Sequence, residues 1–156
     1  MMYDVVDLGL SVQQELKDKI FEEGVVIYEK FENFCKAAEN LEDICRYKEP
    51  YDNVVLTGLV GLYEICFEQS WKAIKEVLYE NGIKEAATGS PRSIIKLAYS
   101  VALIKDQEVW LEALVSRNNV AHAYNYAIAM DIVKKTKEKY VDMFGELREE
   151  MKENWI

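Results

Sequence analysis

Apolar residues along this chain recur at intervals of three and four, the signature of helices packed on one side. Val26, Phe31, Phe34, Cys35, Ala38, Leu41, Ile44 and Cys45 trace one such stripe and predict a helix over 25–48. Pro50 ends it, because proline disfavours a helical residue before it and cannot donate to the preceding turn. A long helix is expected from Asp52, a fair N-cap, to Asn81, with Val55, Leu59, Leu62, Cys66, Ser70, Trp71, Ile74 and Leu78 at heptad-like spacing. Gly82 followed by Ile83 reads as a left-handed C-cap with its apolar follower.

Ser90-Pro91 is an N-cap serine with proline at the first helical position, and starts a helix expected to stop near Lys105. That helix carries Ile94, Ile95, Leu97, Ala98, Val101 and Leu103. Asp106 caps the next, with acid in the first turn where the helix dipole favours it, and Val109, Trp110, Leu111, Ala113, Leu114 and Val115 form its face. Asn125 then caps a last helix running to Glu153 on Ile128, Ile132, Val133, Thr136, Tyr140, Met143, Phe144, Leu147 and Met151. No stretch of strand length alternates with period two. Ahead of residue 25, an apolar patch at Val5, Val6 and Leu8 precedes a capping-box pattern from Ser11 to Gln14, which predicts a short helix over 12–22 ending near Gly24. Its face is too polar for a core helix. The expected architecture is therefore all-α: an antiparallel up-and-down four-helix bundle over 25–156, with residues 1–24 as an N-terminal helical appendage.

Composition adds exclusions. A net charge of -9 argues against stable binding of long nucleic acid, DNA included, because such affinity comes largely from neutralised phosphates. It leaves room for a small basic pocket that holds one phosphate. Cys35, Cys45 and Cys66 are odd in number and form no CxxC pair, so reduced, buried thiols in a cytoplasmic protein are expected. No apolar run is long enough for a membrane span, and the acidic N-terminus does not read as a signal peptide. A di-iron bundle needs two Glu-x-x-His motifs, whereas the chain has one histidine; the cysteines and His122 lack zinc-ligand spacing. Neither metal nor cofactor is expected.

Chemistry concentrates between Trp110 and Tyr126, where Arg117, Asn118, Asn119, His122, Tyr124 and Asn125 crowd together. On a continuous helix Arg117 and Tyr124 fall within about 20° of each other, while His122 lies roughly 140° away. A turn between Asn119 and Asn125 is needed before the three can cooperate, and asparagines that favour caps over helix interiors supply one. An imidazole can move a proton from a ribose 2′-hydroxyl, and a guanidinium can grip a phosphate and stabilise growing charge. Together they describe metal-free RNA cleavage, with His122 as acid/base and Arg117 as clamp. The plainer alternative has Arg117 capping a helix, His122 as a satisfied turn residue and Tyr124 packing its ring. Glu64, Glu68 and Lys72 share one helix face and either border the same cleft or form a solvated ladder of ion pairs. Trp71 and Trp110 are expected as core or interface aromatics. The lysines at 134, 135, 137 and 139 are expected as a solvated face that can attract RNA or an acidic partner.

The run RNNVAHAY (117–124) resembles the Arg-x4-His-x-Tyr signature of the HEPN superfamily, in the branch with HepT toxins and nucleotidyltransferase substrate-binding proteins. YEICFEQSWK (63–72), SPRSIIKLAY (90–99) and EVWLEALVSRNNVAHAY (108–124) resemble the substrate-binding family in the same order, over roughly residues 25–150. Asn125-Tyr126 stands where that family usually has an acidic pair. The resemblance implies a four-helix bundle, a homodimer, and a minimal nucleotidyltransferase partner encoded nearby. It also implies RNA cleavage by Arg117 and His122 across a dimer cleft, and silencing by transfer of AMP to Tyr124. A non-catalytic subunit that docks on the nucleotidyltransferase, or a scaffold that only dimerises, are the other readings it allows.

Overall fold

The computed structural model describes the backbone of residues 2–156 and the side chains of 14, 15, 17, 18 and 24–156. Its helices are α1 (Met2–Glu42), α2 (Asn53–Glu80), α3 (Pro91–Ser100), α4 (Gln107–Asn119), α5 (Tyr126–Lys135) and α6 (Val141–Asn154). Short 3-10 turns occupy Asp43–Arg46, Lys84–Thr88 and Val120–His122, and one π turn, Thr136–Tyr140, joins α5 to α6. Four limbs result: α1, α2, the bent pair α3–α4, and the nearly continuous α5–α6. Among the described residues there is no strand, and no helix is long and apolar enough to cross a membrane.

The caps act as their residue types dictate. Asp52 Oδ1 accepts from the Val55 amide at 2.8 Å, Ser90 Oγ from Ser93 at 3.3 Å, Asp106 Oδ1 from Val109 at 3.2 Å and Asn125 Oδ1 from Ile128 at 3.3 Å. At the end of α2, Gly82 takes φ +90°, so the Gly82 amide reaches the Tyr79 carbonyl and the Ile83 amide the Leu78 carbonyl.

Three expectations need correction. The helix predicted to end near Gly24 continues, and α1 runs unbroken through it; the apolar patch at 5–8 and the Ser11 side chain lie outside the described side chains. One glycine inside a helix costs about 1 kcal/mol and does not by itself stop it. The helix expected to reach Lys105 ends at Ser100, where Ala102 adopts φ 64° and the Leu103 amide returns to the Ala98 carbonyl at 2.9 Å. An alanine in that conformation costs about 1–2 kcal/mol; burial of Leu103 and Ile104 just beyond it offsets the strain. Of the three cysteines, only Cys66 is buried, whereas Cys45 is exposed because the stripe it was assigned to turns away at the 3-10 segment.

The core centres on α2, which packs against α1, α3, α4 and α5. Besides the expected Leu59, Cys66, Ser70, Ile74 and Leu78, it buries Leu56, Val60, Tyr63, Phe67, Ala73 and Val77. A helix flanked on several sides needs a wider apolar face than one heptad seam provides. Phe34, Tyr63, Phe67, Trp110, Tyr140 and Phe144 meet there, with Tyr63 stacked on Tyr140 (ring centroids 5.1 Å) and Trp110 edge-on to Phe144 (5.6 Å). The π turn begins at Thr136, whose hydroxyl donates to the Ile132 carbonyl at 2.7 Å and shares an acceptor with the helix itself.

Candidate functional site

The helix break required by the spacing of Arg117, His122 and Tyr124 is present. α4 stops at Asn119, a single 3-10 turn carries Val120–His122, and the chain closes with Ala123 N–H to Val120 O (3.0 Å) and Asn125 N–H to His122 O (3.0 Å). Asn125 then opens α5, so Tyr124 stands immediately before a helix N-terminus.

Arg117 lies in the last turn of α4, and its Nε donates to Glu68 Oε1 of α2 at 2.5 Å. The second Glu68 oxygen accepts from Trp71 Nε1 at 3.0 Å, so this carboxylate is held from two directions. Nη1 of Arg117 reaches the Asn118 side-chain oxygen at 3.3 Å, and Nη2 makes no hydrogen bond among the described residues. Engaging the guanidinium at Nε fixes its plane and leaves Nη2 for an incoming oxyanion. His122 is exposed, its ring edge-on to Tyr124 at 6.4 Å, and makes no hydrogen bond or ion pair among the described residues. Tyr124 is 88% exposed.

Arg117 is thus turned toward α2, and His122 lies exposed beside Tyr124; no hydrogen bond, ion pair or ring contact joins Arg117 to His122 among the described residues. Asn118 touches the arginine, while Asn119 is exposed and gives no side-chain cap to the 3-10 turn. Of the face on α2, only Glu68 is drawn into the site. Glu64 and Lys72 are exposed and unpaired among the described residues, so the ladder of ion pairs does not form; Glu68 prefers a guanidinium on the facing helix.

Beneath this corner the polar groups are buried and satisfied. Ser116 Oγ and the Tyr140 hydroxyl lie 2.7 Å apart, and the Tyr63 hydroxyl donates to the Ala113 carbonyl. Burial pushes the Tyr140 phenol up to about 12, against a pull downward from the Ser116 bond, and pushes Tyr63 further up. Burial also raises Cys66, which keeps it a neutral thiol in the core. These hydroxyl partners were missed in the sequence, where Tyr63 and Tyr140 read only as apolar positions or motif aromatics.

The lysine run departs from a uniform solvated face. Lys135 and Lys139 pair with Glu112 of α4 at 3.7 and 3.1 Å, and Lys135 also with Asp131 at 3.1 Å, a hydrogen bond that raises the Lys135 pKa. Lys137 instead donates to the Tyr47 carbonyl and the Tyr51 hydroxyl. Trp110 is a core residue, whereas Trp71 is half-buried with Lys75 Nζ 5.9 Å from its ring centroid.

A family described as nucleotidyltransferase substrate binding protein like matches residues 29–153. Among solved structures, a protein from Thermus thermophilus shares 24% identity, covering 73% of this chain and 94% of that one, with a TM-score of 0.64. HI0074 from Haemophilus influenzae, described as having the fold of a substrate binding domain of a nucleotidyltransferase, shares 20% identity over 82% of this chain and 98% of its own, with a TM-score of 0.60. These two likenesses concern the fold. No curated protein matches the chain.

Proposed function

Since this chain belongs to the nucleotidyltransferase substrate-binding protein-like family, we propose that it is the HEPN-type partner of a minimal nucleotidyltransferase and carries a latent, metal-independent ribonuclease. The observation that carries this reading is the complete set of Arg117, His122 and Tyr124 on one exposed helix corner, with the arginine oriented by Glu68. His122 takes the proton of a ribose 2′-hydroxyl, and the freed oxygen attacks the adjacent phosphorus. The bond to the 5′-oxygen breaks, that oxygen picks up a proton from His122 or water, and a 2′,3′-cyclic phosphate remains. Arg117 steadies the charge on the phosphoryl oxygens.

Control in this reading comes from the partner. The Tyr124 hydroxyl attacks the α-phosphorus of a nucleoside triphosphate held by the transferase, pyrophosphate leaves, and the phenol proton passes to a base or water. An AMP group planted beside His122 then blocks the corner by bulk and negative charge. The near-complete exposure of Tyr124 suits a residue that must enter another enzyme's active site. The protein acts as a cytoplasmic homodimer: the outward face of α2 carries Val54 and Ile65 in solvent, with Gly58 and Gly61 between them where an added Cβ meets nothing within 4 Å. A second copy laid on that face brings two Arg117–Glu68 pairs to one cleft. Light scattering at micromolar concentration should report a dimer; a monomer sinks the shared cleft.

A second reading is a non-catalytic subunit that docks on the nucleotidyltransferase and helps select its substrate; the net charge of -9, awkward for an enzyme that cuts RNA, favours it. Expression of the chain alone separates the two. Growth arrest that disappears in His122→Ala supports the toxin; stable co-purification with the transferase and no arrest supports the docking subunit.

A further inference from the structure

Four lysines stand close together at the α5–α6 junction, and the structure treats them in two ways. Lys135 and Lys139 face α4 and are neutralised by Glu112 and Asp131. Lys134 and Lys137 face the segment that links α1 to α2, where Lys48 joins them. Among the described residues none of these three forms an ion pair. They surround a hollow of about 380 Å³ lined also by Tyr51, Met130, Val133, Glu49 and Glu138.

Lys137 is the anchor. Its ammonium donates to the Tyr47 carbonyl and the Tyr51 hydroxyl and sits 5.1 Å from the Tyr51 ring centroid. An ammonium carries three donors, so one remains. The Tyr51 hydroxyl oxygen and the Tyr47 carbonyl are neutral, so they hold the cation without cancelling its charge. The π turn sets this up: Lys137 lies inside it, while Thr136 and Tyr140 of the same turn stay buried. Three ammoniums against two carboxylates leave the hollow positive in a strongly acidic chain.

We propose that this hollow binds a small phosphomonoester with a flat or apolar body, of the size and chemistry of a mononucleotide. The phosphate sits among Lys48, Lys134 and the free donor of Lys137, and the body lies on Met130, Val133 and Tyr51. The site shares no residue with the Arg117–Tyr124 corner and stands whether or not that corner cuts RNA. A single phosphate between lysines is compatible with an acidic protein, because attraction acts within a Debye length of about 8–10 Å while more distant carboxylates are screened.

Calorimetric titration of the full chain with AMP, adenosine and inorganic phosphate tests this. AMP should bind saturably and more tightly than either fragment, and weaken as salt is added. Lys134→Gln and Lys48→Gln change exposed, unpaired side chains and should each weaken AMP by about tenfold with an unchanged melting curve. Lys139→Gln, which removes a paired lysine, should leave it unaltered. No saturable binding of AMP up to about 5 mM, beyond which affinity is too weak to mark a built site, overturns the proposal. So does adenosine binding as well as AMP, or AMP binding that ignores both glutamine variants.

Discussion

Tyr63 and Tyr140 in the middle of the bundle, and Tyr124 and Tyr126 at the α4–α5 corner, are the same residue under opposite conditions. The central pair is fully buried, stacked, and bonded through both hydroxyls to the Ala113 carbonyl and Ser116. The corner pair stands in solvent, and neither ring belongs to the core. A buried hydroxyl without a partner costs about 1–3 kcal/mol, so the centre accepts only geometries that satisfy it. At the corner that constraint is absent. Residue choice there is free of packing, which is what a site must be if it is to meet another molecule. Arg117 belongs to both worlds: it leaves the end of a packed helix, is tied to Glu68, and offers its far edge outward.

Removing Phe144, which touches Phe34, Tyr63 and Trp110, should have the largest effect on stability. Phe144→Ala is expected to cost about 3–5 kcal/mol in chemical denaturation; a cost near zero would mean the centre is not a packed core. Tyr140→Phe comes next, at about 1 kcal/mol, because it strips Ser116 of its partner. Its pH signature is sharper than its size. The folded phenol is raised to about 12 from the ordinary tyrosine value of 10.0, so the folded state keeps a proton that the unfolded state releases. Stability from this group is complete below pH 10 and is lost as pH rises toward 12. Tyr140→Phe should make that alkaline decline shallower, leaving the part that the more strongly raised Tyr63 contributes, and an unchanged slope would place the titration elsewhere.

Glu68→Gln is smaller for stability, under about 1 kcal/mol, because the Arg117 pair is partly solvated. Its effect on RNA cleavage should be larger, about ten- to a hundredfold, since the arginine loses its orientation. A cleavage rate that stays constant would make the pair purely structural. His122→Ala and Tyr124→Ala should fall within about 0.5 kcal/mol of the parent in thermal melts, and a large loss from either would show that the corner is part of the core.

Much of the bundle was legible because caps and stripes agree: Asp52, Ser90, Asp106 and Asn125 each announced a helix that exists. What escaped lay in tertiary choices. Ala102 takes a glycine-like conformation because burying Leu103 and Ile104 outweighs its strain, and no local signal marks that. The π turn hides inside spacing that a plain helix also fits, and Gly24 looks like a stop although the backbone runs through it. At the corner, the turn was legible from Asn119 and Asn125, whereas the choice of Glu68 over Lys72 or Glu64 depends on how α4 crosses α2. The lysine run was legible as basic, but which lysines would be neutralised depends on Glu112 lying opposite.

The most direct test is RNA cleavage by the purified chain with a metal chelator present, beside Arg117→Ala and His122→Ala preparations with matching melting curves. The account predicts cutting by the parent, products ending in a cyclic phosphate, and loss of cutting in both variants. Equal cutting by His122→Ala, or none by a folded, unmodified parent dimer, would contradict it.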